Sequence, residues 1–95
     1  MNYLITDKEL ENMGKAIAEI GTGKTCITTA VIAETKKTLL AKGYDAAELY
    51  AAQLTATDEN TELIRVIMTL RKYNLGPEAG AQVLDKLAAI ESGKW

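Results

Sequence analysis

Residues 6–21 read TDKELENMGKAIAEIG, and they decide the fold. Thr6 and Glu9 have the spacing of a capping box, in which the hydroxyl accepts from the amide three residues on and the carboxylate reaches back. Ile5 and Leu10 stand where a hydrophobic staple would place them. Leu10, Met13, Ile17 and Ile20 then recur at intervals of three and four, which is one helical face. Gly21-Thr22-Gly23 ends it. The stretch is a helix with a start, a buried stripe and a stop.

The same pattern of start and stop runs through the rest of the chain. Thr25 is the expected cap of a second helix reaching Lys42, with Ile27, Ala30, Val31 and Ile32 as its apolar start. Thr28, Thr29, Thr35 and Thr38 lower its helix propensity, so residues 25–32 read as either helix or strand. Lys36, Lys37 and Lys42 suit the negative pole of a helix dipole, and Gly43 suits its C-terminal stop. Asp45 with Glu48 repeats the acidic-cap pattern for a third helix to about Ala56, with Leu49, Tyr50 and Leu54 as its large apolar residues. Thr57 or Asp58 caps a fourth, whose stripe is Leu63, Ile64, Ile67, Leu70 and Tyr73, widened by Val66 and Met68. Asn74-Leu75-Gly76 ends it, and Pro77 opens a fifth in the first-turn position where a missing amide costs nothing. Val83, Leu84, Leu87 and Ile90 are its stripe. Residues 1–5 and 92–95 read as tails. The expected architecture for residues 1–95 is a single all-α domain, a compact bundle of four to five short antiparallel helices. Short connections favour antiparallel neighbours.

Composition bounds the function classes. Ninety-five residues lie near the lower end of what folds alone. The core leans on Ala and has no Phe, so each helix contact buries little area. A thin core makes a homodimer the expected state. The net charge is −2. Residues 1–44 hold six Lys and five acids, giving +1, and residues 45–95 hold five Lys/Arg and eight acids, giving −3. Neither half supplies the basic surface on which non-specific nucleic-acid affinity rests. Cys26 is the lone cysteine, so no intrachain disulfide forms. Residues 1–5 are too short for a signal peptide, and no apolar run approaches the ~20 residues of a membrane span. A cytoplasmic protein is the expectation.

The residues that invite a chemical reading are few. Gly23-Lys24-Thr25 before a helix resembles the second half of a phosphate-binding loop. The first motif glycine is replaced by Ala18, and the segment before it is an amphipathic helix rather than a strand. What remains is a weak anion site at Gly23, Lys24 and Thr25, where a helix start offers free amides. Glu9, Glu11 and Glu19, or Glu59 and Glu62, could form carboxylate pairs, yet they fall on first turns and polar faces that acids occupy for dipole and solvation reasons. Without His or a second Cys there is no cluster for a transition metal and no Ser/His or Cys/His catalysis. No catalytic, cofactor or metal residue is assigned. Cys26, in the expected first turn of the second helix, reads as a small buried side chain, although a helix start also stabilises a thiolate.

Two binding readings remain. Tyr44, Tyr50, Arg65, Arg71, Lys72 and Tyr73 are a candidate surface for a protein partner, since Arg and Tyr are enriched at interface hot spots. The alternative is a helix-turn-helix at residues 63–90. Its recognition helix carries Glu78, Asp85 and Glu91 against Lys86, with Gln82 alone suited to base edges.

Residues 9–40, with Glu-Leu-Glu-Asn-Met-Gly-Lys-Ala-Ile, a glycine turn, Ile27-Thr28, Ile32 and Leu39-Leu40, resemble the YmgB/AriR family of small bacterial regulators. The resemblance covers about a third of the chain. It implies an all-helical homodimer that regulates biofilm or stress signalling through protein contacts. It assigns no functional residue. Small, acidic, His-free helical chains also suit phage or mobile-element proteins that block a host enzyme. The expected function is a non-catalytic regulator or inhibitor that binds another protein.

Overall fold

The structure is a computed structural model that describes residues 5–21 and 26–91. It is all-helical: α1 (Asp7–Gly21), α2 (Thr29–Lys42), α3 (Tyr44–Ala52), α4 (Thr57–Lys72) and α5 (Pro77–Glu91), with no strand among the described residues. The helices close a ring in which α1 lies on α5, α5 on α2, α2 on α3, α3 on α4, and α4 back on α1. One core cluster fills it, and Ile5, read from sequence as part of a tail, packs against that cluster. The tail residues 1–4 and 92–95 lie outside the described residues.

The start of α1 forms as its sequence dictates: the Glu9 amide donates to the Thr6 hydroxyl at 3.1 Å. The Glu9 carboxylate, expected to bond back to its own cap, accepts from the Gly76 amide at 2.9 Å. It thereby holds the residue before α5, where Gly76 O also receives the first α5 bond from the Gly80 amide. At the other end Ile17, Ile20 and Gly21 meet Val83, Leu87 and Ile90, so α1 lies along α5 start to start and end to end. The buried face of α1 is Met13, Ala16 and Ile20. Leu10, expected inside, is 53% exposed, because α1 meets the ring through Ala16 and the face is rotated toward that small residue.

The second helix starts later than expected. Thr25 lies outside the described residues, and the cap is Thr28, whose hydroxyl accepts from the Val31 amide. Residues 26–28 are irregular and Thr29 onward is helix, which decides the helix-or-strand question there. The threonines are accommodated because the Thr35 and Thr38 hydroxyls donate to the carbonyls of Val31 and Glu34, satisfying polar groups that would otherwise compete with the helix. Gly43 both ends α2, its amide donating to Leu39 O, and precedes α3. Its φ of +91° is one that only glycine adopts at little cost. Gly43 displaces Asp45 as the cap of α3, and no side chain caps that helix.

Helix α3 ends at Ala52 rather than Ala56. The Asn60 side chain donates to the Ala51 carbonyl, closing the helix and fixing the approach of α4. Neither Thr57 nor Asp58 caps α4; the chain enters from Ala56 without a side-chain cap. The buried face of α4 is Leu63, Val66, Ile67, Thr69 and Leu70, and Met68 is 59% exposed instead of widening the stripe. The end of α4 is a Schellman motif: the Leu75 amide donates to Leu70 O and the Asn74 amide to Arg71 O, with Asn74 at φ +55°. Helix α5 buries Ala79, Gly80, Ala81, Val83, Leu84 and Leu87. Ile90, expected inside, sits at its exposed end. Every buried side-chain nitrogen and oxygen among the described residues has a hydrogen-bond partner.

Candidate functional site

The sequence-proposed surface separates into three places. The first is the edge where α3 meets α4. The last turn of α4 carries Arg71 to the first turns of α3, where its guanidinium donates to Glu48 at 2.7 Å and to Asp45 at 3.4 Å. It also stands 5.7 Å from the centre of the Tyr44 ring, within cation–π range. The Glu48 hydrogen bond raises the Arg71 pKa, with Glu48 and Asp45 charge adding to it. Tyr44 is half-buried against the core, so the ring is a fixed platform and the guanidinium is oriented from two sides. Leu49, one turn beyond Asp45 on α3 and expected in the core, is 60% exposed.

The second place joins α1 to α4. The Glu19 carboxylate accepts from the Tyr73 hydroxyl at 2.8 Å and from Lys72 Nζ at 3.1 Å. Its pKa is lowered chiefly by the Tyr73 hydrogen bond and then by Lys72, and both partners are raised in turn, principally by hydrogen bonding to Glu19. The Asn12 side chain donates to Tyr73 O at 3.1 Å. Beside this node an open groove runs along α4, with Ile64, Arg65 and Met68 on its floor and walls. Arg65 donates to Glu62 on its own helix at 3.0 Å.

Tyr50 stands alone as the third. Burial raises its hydroxyl pKa, with the Glu34 and Glu59 carboxylates adding to the effect. Arg71 with Tyr44, and Lys72 with Tyr73, are therefore brought together in pairs, while Arg65 and Tyr50 join neither pair. The anion site proposed at Gly23, Lys24 and Thr25 lies outside the described residues.

The carboxylates considered as acid–base pairs have separate duties. Glu9 holds the Gly76 amide and Glu19 the Lys72–Tyr73 pair, while Glu59 accepts from the Thr28 amide and Glu62 from Arg65. Glu11 pairs with Lys15 at 3.3 Å. No group of three His, Cys, Asp or Glu among the described residues is placed to hold a metal ion. Cys26, expected to be buried within the first turn of α2, is exposed and precedes the Thr28 cap. Desolvation raises its thiol pKa, and the Asp58, Glu62 and Glu59 charges add to it, the reverse of the stabilised thiolate a helix start would give. Asp45, Glu48 and Leu49 were not legible as surface residues, since their spacing is that of a cap followed by a core position. Met68 was hidden for the same reason within a wide apolar stripe.

No helix of the described residues is long and apolar enough to cross a membrane. Compared with known protein families, curated proteins and solved structures, the chain matches none.

Proposed function

We propose that this chain is a small non-catalytic regulatory or inhibitory protein that acts in the cytoplasm, as a homodimer, by binding another protein. The observation that carries the reading is the α3–α4 edge. Leu49 is exposed on α3, the helix whose Glu48 and Asp45, with the Tyr44 ring, set the direction of Arg71. A fixed Arg–Tyr pair on a helix that also exposes a large apolar side chain loses little conformational entropy on binding, which is what makes such groups interface anchors. The likeness of residues 9–40 to the YmgB/AriR regulators points to the same kind of activity. Against the DNA-binding alternative, Ala79, Gly80 and Ala81 are buried. The exposed polar side chains of α5 are Gln82, Asp85, Lys86 and Glu91, and two of these four are acids, which suit a phosphate-lined groove poorly.

The test is capture from a lysate of the native host, nuclease-treated, with the wild-type chain against Leu49→Asp and Arg71→Ala. A stoichiometric protein that survives nuclease and is lost with both variants supports the reading. A catch that vanishes with nuclease, or one indifferent to both substitutions, overturns it.

A further inference from the structure

We propose that the outward face of α4 is the contact between two copies of this chain, laid antiparallel about the turn from Arg65 to Met68. The inference rests on the homodimer part of the reading above and names the surface that forms it. Met68 is 59% exposed and lines an open groove together with the half-buried Ile64 and with Arg65. Residues 58, 61, 65, 68 and 72 follow one another at three- and four-residue steps, so they share one side of the helix.

The order of charge along that side selects the occupant. Asp58, at the start of α4, is exposed and makes no ion pair among the described residues. Lys72, at the end, stays 62% exposed although it touches Glu19. About 21 Å of helix separates the two positions. A second α4 running the opposite way sets each Lys72 within a turn of the other copy's Asp58 and lays Met68 on the stem of the other Arg65. A parallel copy sets like charge against like. The same pattern fits an acidic protein or a nucleic acid poorly, because Arg65 and Lys72 are already met by Glu62 and Glu19 and the face carries no excess positive charge. A centre in which Met68 packs on the stem of an Arg65 already neutralised by Glu62, with compensating charged ends, is complementary to itself, as a two-fold interface must be.

Sedimentation equilibrium of the full chain tests this, with circular dichroism to establish that each variant folds. The variants are Met68→Lys, Asp58→Lys and Lys72→Glu. The wild type is expected to dimerise, and each variant to weaken the dimer by about tenfold or more. Mixing D58K with K72E in equal amounts is expected to restore it, because one copy is then basic at both ends of the face and the other acidic at both. A chain that remains monomeric throughout overturns both the homodimer reading and this surface. A dimer that ignores Met68→Lys and Asp58→Lys, or a D58K–K72E mixture that gains nothing, overturns the surface alone.

Discussion

At Gly80, α5 passes under the ring of Tyr44 so closely that a β-carbon built there would land on the Tyr44 hydroxyl, with Leu39 next nearest at 3.2 Å. Alanine in a helix interior is ordinarily favoured over glycine by about 1 kcal/mol. Overpacking of this kind costs about 1–3 kcal/mol, so Gly80→Ala is expected to destabilise the protein by about 1 kcal/mol net in urea titration. Tyr44→Phe removes the clashing oxygen, and the double variant is expected to regain most of the loss, which a simple propensity effect would not do. Glu19 supports a second prediction at this scale. Its pKa is lowered from 4.5 by the Tyr73 and Lys72 contacts, so the folded state binds the proton more weakly than the unfolded state. The stability it contributes is present above that ordinary value and is lost as pH falls through the lower folded value. The midpoint difference between wild type and Glu19→Gln is expected to be largest near neutrality and to shrink as pH falls below 4.5 and through the lower folded value; a difference that persists undiminished in acid would contradict this account.

Joints are where the elements explain themselves. The residues that fix them are polar side chains reaching across the ring: Glu9 to the Gly76 amide, Glu59 to the Thr28 amide, Asn60 to Ala51 O and Asn12 to Tyr73 O. In sequence Asn12 and Asn60 are unremarkable polar residues, and Glu9 and Glu59 read only as a local cap and as members of carboxylate pairs. Nothing in the spacing of Glu9 says that its partner lies 67 residues away. Caps and stops within one helix were legible, as at Thr6, Gly43 and Pro77, because their partners are a few residues distant. At the end of α4 the left-handed position is filled by Asn74, a residue that tolerates it better than most but less well than glycine. Asn74→Gly is therefore expected to be neutral or slightly stabilising, and Asn74→Val to cost about 1–2 kcal/mol, both read from thermal or urea unfolding.

For the whole molecule, an all-helical fold was legible from periodicity, and the ring order was not. Periodicity tells which face of a helix is apolar and carries no label for the helix it will meet. It also weighs large side chains, whereas this core buries small ones as completely as large ones. Ala16, Ala47, Ala51, Ala79 and Gly80 are buried, and Gly80 leaves room for the Tyr44 ring, while Leu10, Leu49 and Met68 stay outside. The candidate surface was half legible for the same reason. The Arg and Tyr residues stand out by type, and the exposed Leu and Met on the same helices look like core until the neighbouring helices are placed.

The first helix finds its main neighbours in α4 and α5, the last two of the described helices in chain order. During synthesis Met13, Ala16 and Ile20 therefore leave the ribosome long before anything exists to cover them, and the ring cannot close until α5 has cleared the exit tunnel. Domains generally fold as units during translation, and this one is committed only at its end. A nascent chain stalled after α4 would display the apolar face of α1 to the first chaperone it met.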